Sequence, residues 1–197
     1  GLWFPVDVST SSRATIGGMA GNNSCGGRSL KYGMMRDNVV SIEAILNDGK
    51  EYNFGDIDID ELKNNSNLNI FNNSIFTLHE QVKKNKKIIL SDFPKVLRRV
   101  AGYNIDALLP DAMCYRPNGK TGDGINLSHF LVGSEGTLGY FTKVKLKLSP
   151  LPSKKVMGVC HFPSFYESMD AAQHIVKLDP VSVELIDDTM LNLANDI

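Results

Sequence analysis

The stretch VVSIEAILNDGKEYNF, residues 39–54, constrains the fold more than any other part of the chain. Val40, Ile42, Ala44 and Leu46 alternate with Ser41 and Glu43, the period of a strand with one buried face. Asn47-Asp48-Gly49 follows, and Asp-Gly between two such runs is the strongest short-range hairpin signal. A second clean alternation, VKLKLSP, turns Val144, Leu146 and Leu148 inward and Lys143, Lys145 and Lys147 outward. It reads as a half-buried antiparallel strand whose lysine row is a solvated face that discourages edge pairing.

Three zones surround these strands. In the first, LWFPVD is a short strand ended by Pro5, with Trp3 and Phe4 assigned to the core. The second, residues 55–124, is polar and mostly helical. DIDIDELKNNSNLNIFNNS suits a surface loop or weak helix, and Ser74 is placed to cap a helix that carries Ile75, Leu78 and Val82 on one face. Pro94 suits the first turn of a further helix, PKVLRRV, and RPNGKTGDG is a loop by composition. In the third zone two prolines of LSPLPSKK stop the strand and mark a linker. Beyond it VMGVCHF and VSVELID read as strands around a helix opened by the capping box Ser164–Glu167. The expected class is α+β, with one unit over residues 1–152 and the start of a second over 153–197.

Composition narrows the function. With 197 residues the chain can bury roughly 70% of its unfolded surface. A net charge of −1 gives no field for nucleic acid or an anionic membrane. Three scattered cysteines, Cys25, Cys114 and Cys160, make neither a disulfide framework nor a metal site, and favour a reducing compartment. No apolar run reaches membrane-spanning length. The opening GLWFPVD, without an initiator Met, is expected to be internal to a longer protein.

Two glycine clusters carry the functional signal. ATIGGMAGNNSCGG holds five glycines from Gly17 to Gly27. Bare backbone there can cradle a phosphate or pyrophosphate at a helix N-terminus, while Asn22 and Asn23 add amides that donate and accept. A tight structural loop explains the glycines equally well from spacing alone. LVGSEGTLGY repeats glycine at 133, 136 and 139 around Ser134, Glu135 and Thr137. Its polar groups suit ribose hydroxyls or an adenine amine, although a bend at a strand entry is the simpler reading. No GxGxxG follows a strand, and in CYRPNGKT a cysteine, Cys114, stands where a phosphate-binding loop needs its first glycine. Gly119, Lys120 and Thr121 are therefore read as an exposed loop.

Taken together, GLWFPVD, ATIGGMAGNNSCG, YGMMRDNV, GYNIDALL and LVGSEGTLGYFTKVKLKLSPLP resemble the FAD-binding (PCMH-type) domain of the vanillyl-alcohol-oxidase-like, FAD-linked oxidoreductases. The likeness is strongest to the D-lactate, glycolate and D-2-hydroxyacid dehydrogenases. The GNNSCG form resembles the long bacterial members that carry an iron–sulfur region further along. The resemblance covers residues 1–152 and implies FAD as cofactor. It implies that Pro5, Ile16, Gly17, Gly18, Asn22, Asn23, Ser24, Cys25 and Gly26 run along the flavin and pyrophosphate. Glu135, Gly136 and Gly139 would serve the adenosine half, and Tyr32 and Gly33 would set the turn before Arg36-Asp37, read as a structural ion pair. Residues 153–197 would begin the substrate-side cap.

The implied reaction moves a hydride from the α-carbon of a small 2-hydroxy acid to flavin N5, after which a downstream electron acceptor is reduced. The resemblance also implies a further glycine loop upstream of Gly1, and substrate-binding histidines and any metal beyond Ile197. A fragment with half the FAD site would be inactive alone. No catalytic base or metal ligand is assigned within the chain. His79 is expected to be exposed, His129 to be packed or turned to the cofactor, and His161 and His174 to be structural. A cytoplasmic enzyme is implied, with peripheral inner-membrane attachment and oligomerisation left open. Two other readings remain: a scaffold that holds no flavin, and an FAD reductase of another substrate class, such as a nucleotide sugar.

Overall fold

The computed structural model describes residues 1–65, 70–109 and 125–195. The chain opens with β1 (Leu2–Trp3), then three short helices, α1 (Ile16–Asn22), α2 (Ser29–Tyr32) and α3 (Met35–Asn38). The hairpin follows as β2 (Val39–Ile45) and β3 (Glu51–Phe54), and then β4 (Asp56–Ile57). The polar middle forms α4 (Ile59–Asn65), α5 (Ile70–Lys84) and α6 (Lys86–Asp92), with a 3-10 turn at Ile105–Leu108. After β5 (Ile125–Asn126) and α7 (Ser128–Leu131) come β6 (Tyr140–Leu146), β7 (Ser149–Pro150), α8 (Phe165–Ile175) and α9 (Asp188–Asn195). This is the expected α+β class. Gly119, Lys120 and Thr121 lie outside the described residues.

An antiparallel sheet in the order β3-β2-β6 is the centre of the fold. Its hairpin forms as expected: Leu46 N donates to Lys50 O at 3.1 Å, and Gly49 takes φ 76 in the turn. Ile42 and Ala44 are fully buried. Val40 is not, because the β2–β6 register slips between Val39 and Ser41. The extra residue reverses the parity behind it, so Val39 points inward instead. β6 begins at Tyr140 and ends at Leu146, which leaves Leu148 45% exposed rather than inward. Short ladders join β1 to β7 and β4 to β5.

The helices cover this sheet through one apolar cluster that includes Met19, Val39, Ile42, Phe54, Leu62, Ile75, Val82, Ile89, Leu108 and Leu131. α5 starts at Ile70, so Ser74 is no cap; its hydroxyl donates to the Ile70 carbonyl at 2.9 Å. Ile75 and Val82 are buried with His79 between them, against the expectation for that histidine. His79 Nδ1 lies 2.9 Å from the Leu108 carbonyl, a polar pairing that makes burial tolerable. Pro94 ends a helix instead of starting one. It holds Phe93 at φ −67 and ψ 129, and residues 94–100 are not helical.

The Ser164–Glu167 box opens α8: the Glu167 N–H donates to Ser164 Oγ at 3.3 Å. Residues 156–162 and 181–187, expected as strands, pair with no neighbour among the described residues and are irregular. A lone strand leaves its backbone groups without a ladder, so local propensity cannot hold it extended.

Candidate functional site

α1 starts where Thr15 takes extended φ/ψ and its hydroxyl accepts the Gly18 N–H at 3.1 Å. The Gly18 donor is thus engaged within the turn. At the other end Asn23 takes left-handed φ 49 and closes the helix through its own N–H to Ala20 O. Between them, Met19 and Ala20 anchor α1 in the core while Gly17 and Gly18 stay at the surface.

The second glycine cluster sits against this helix. Gly133 N donates to Ala20 O and Glu135 N to Gly21 O, both at 2.9 Å, so the loop supplies the donors that the last turn of α1 lacks. Glu135 holds a left-handed φ of 52, uncommon for a residue with a long side chain. Gly139 brings the start of β6 close to β2; a Cβ there would lie 3.1 Å from Ile45 O and 3.0 Å from Leu46 Cδ2.

Between the two clusters lies an open cleft of about 490 Å³. One wall is Gly17, Gly18, Gly21 and Asn22; the other is Glu135, Gly136, Gly139, Tyr140 and Phe141. Among the described residues no lysine or arginine lines it. An anionic ligand here would depend on backbone N–H groups.

The remaining sequence-predicted residues do not line the cleft. Ile16 lies one position ahead of its wall, at the first residue of α1. Pro5 is buried, Ser24 is buried, and Cys25 is half-buried. A Cβ on Gly26 would collide with Asp7, and one on Gly33 would stand 2.6 Å from Asp37 Oδ2, so both glycines are explained by packing. Asn23 is fully buried; its side chain accepts from Arg36 N at 3.0 Å and donates to Arg99 O at 3.3 Å. The Arg36–Asp37 pair is long, at 3.9 Å, and Asp37 chiefly accepts from Met34 N at 2.8 Å. His129 is buried in α7, whereas His161 and His174 are exposed.

Gly21, Tyr140 and Phe141 were missed by the sequence reading. For Tyr140 and Phe141 the available signal was their place directly after Gly139, where a chain leaving a close approach must enter the cleft. Among the described residues no group of three or more His, Cys, Asp or Glu side chains could hold a metal. No described helix is long and apolar enough to cross a membrane.

Residues 1–55 match the family described as FAD binding domain. The chain is 29% identical over its whole length to D-2-hydroxyglutarate dehydrogenase of Escherichia coli, and 30% identical over 98% of it to the Haemophilus influenzae protein of the same name. It is also 30% identical over 99% of its length to a protein named Probable D-lactate dehydrogenase, mitochondrial, of Danio rerio. It spans 18% of the length of the first two relatives and 28% of the third.

The cleft fits a stretch of FAD on one observation above all. A Cβ at Gly17 would meet nothing within 4 Å, and its φ lies in the ordinary helical range. Neither backbone strain nor protein packing demands glycine there. The bare backbone at Gly17 therefore leaves room on this wall of the cleft for a ligand to come close.

Proposed function

From a chain whose first 55 residues match the FAD binding domain family, we infer part of the FAD site of an oxidoreductase that acts on a D-2-hydroxy acid. The open space above Gly17 carries this reading, because a flat ring or diphosphate can approach that backbone only without a Cβ. Gly17, Gly18 and Asn22 form one side of the proposed site and Glu135, Gly136 and Gly139 the other. Bound FAD would supply the hydride-accepting centre.

The chain's own part is to bind and orient. α1 and the 133–139 loop would hold the cofactor between them, and Tyr140 and Phe141 would lie beside it on the second wall. Asn23, Ser24, Cys25, Gly26, Gly33 and Pro5 support those walls from behind. Residues 153–197 are proposed as the beginning of the substrate-side unit. The D-2-hydroxy acid class of substrate is supported by the relatives' names, which include D-2-hydroxyglutarate and D-lactate dehydrogenases, as is oxidation at a carbinol carbon. We place the enzyme in the cytoplasm, delivering electrons to a separate acceptor.

The test uses the complete protein with excess FAD. A retained flavin absorbance, bleached anaerobically by one of D-lactate, glycolate or D-2-hydroxyglutarate, is the expected result. A colourless protein after that treatment overturns the flavin site, and a coloured one that none of the three acids bleaches overturns the substrate class.

A further inference from the structure

The two walls of the cleft are joined behind it by a chain of buried side chains that never touches the cleft. Asn23, at the end of α1, accepts from Arg36 N at 3.0 Å. Arg36, 8% exposed as a residue, donates from Nη1 to Asn104 Oδ1 at 3.0 Å. Asn104 in turn donates from Nδ2 to Val132 O at 2.8 Å, immediately before the loop that forms the second wall. Arg99 closes the circuit: its carbonyl accepts from Asn23 Nδ2, and its Nη2 reaches Asp106 at 2.5 Å and Asn104 Oδ1 at 3.5 Å. Asp37 and Asp106 each lie 3.9 Å from Arg36, so the buried cation is balanced.

We propose that Arg36 and Asn104 are positioning residues that set the spacing of the FAD cleft's two walls, acting through Asn23 on one side and Val132 on the other. The inference rests on the flavin reading above, but its structural half stands apart from it. The direct contacts between the walls, Gly133 N to Ala20 O and Glu135 N to Gly21 O, are two hydrogen bonds at a short helix end. A short helix end frays readily on its own. The buried network behind the cleft, by contrast, holds Arg36, Asn104, Asn23 and Arg99 through several cross-linked hydrogen bonds, with Arg36 Nε left to the Asp37 carboxylate 3.9 Å away, and resists displacement more than a lone helix end does. Asn104 is the pivot because its amide offers an acceptor to the guanidinium and a donor to the carbonyl at once. Nor could an aspartate, leucine or lysine at 23 serve as well, since the position needs left-handed backbone together with both hydrogen-bond functions.

The experiment compares Asn104→Ala and Arg36→Lys with Asn126→Ala in the complete protein. Asn126 is an equally buried asparagine that bonds Val40 O and Ser128 away from both walls. Three readouts are taken: FAD dissociation constant, visible circular dichroism of the bound flavin, and amide exchange at Gly133 and Glu135 without cofactor. Asn104→Ala should weaken FAD about tenfold, the equivalent of one buried hydrogen bond. It should alter the flavin dichroism and speed exchange at both amides while Ile42 and Ala44 stay protected. Arg36→Lys, which keeps the charge but not the fork, should do the same to a lesser degree. Asn126→Ala should lower the melting temperature without changing any of the three. Wild-type exchange and FAD affinity in both network variants, or equal effects from Asn126→Ala, overturn the proposal. If the wild type takes up no FAD, the flavin reading fails, and the exchange comparison alone decides whether the network aligns the walls.

Discussion

Glu135 donates its backbone N–H to the carbonyl of Gly21 at 2.9 Å, so two glycine-rich motifs more than a hundred residues apart meet as one structure. The bond joins the last turn of α1 to Glu135, whose backbone is left-handed at φ 52 and which lines the cleft. Glycines lie on both sides of this contact, and changes at them should have sharply different consequences depending on what each glycine faces.

Gly17→Ala should separate binding from stability. A Cβ there meets open space and gains helix propensity, so urea unfolding of the cofactor-free protein should show unchanged or higher stability, by up to about 1 kcal/mol. FAD affinity, followed by flavin fluorescence, should fall. Unchanged affinity would return Gly17 to an ordinary surface position.

Gly33→Ala should do the reverse. Gly33 has φ 77, and an added Cβ would press on the Asp37 carboxylate. A cost of about 1–3 kcal/mol in urea unfolding is expected. It should appear whether or not FAD is present, since Gly33 does not line the cleft.

The register of β6 can be checked by paired truncations. Ile42→Ala removes a fully buried side chain and should cost about 2–5 kcal/mol. Leu148→Ala, beyond the strand end, should change stability by no more than about 0.5 kcal/mol. A large loss at Leu148 would mean that the strand continues inward past Leu146.

Acid should weaken the hairpin turn first. The Tyr52 hydroxyl, donating to Asp48 at 2.7 Å, and the Lys50 N–H together hold the Asp48 carboxyl below the ordinary aspartate range. A carboxyl lowered in the folded state stabilises fully above its unfolded value, and that contribution is lost as pH falls through the folded one. Tyr52→Phe should raise the Asp48 titration midpoint measured by NMR and flatten the acid limb of hairpin stability. An unmoved midpoint would show that the hydroxyl bond does not form in solution.

Local chemistry made much of this protein legible. Alternating side chains and Asp48-Gly49 specify the hairpin because a strand's period and a turn's backbone are both decided within a few residues. Ser164 and Glu167 likewise announce their helix end, because a capping box closes within four residues. The FAD cofactor implied by the resemblance of these motifs agrees with the match of residues 1–55, which hold the first glycine cluster, to an FAD binding domain.

Other features depended on partners distant in the chain. Proline is compatible with either end of a helix, and only the path after Phe93 decided that Pro94 terminates one. His79, flanked by polar residues, reads as surface, yet the Leu108 carbonyl from a later turn draws it inside. Val40 keeps perfect alternation and still loses its core place, because pairing with β6 inserts a bulge that the hairpin alone does not encode. Which glycines face open space and which face Asp7 or Asp37 was likewise invisible beforehand. Residue type sets what a backbone position is allowed to do; only packing against the rest of the chain determines what stands in front of it.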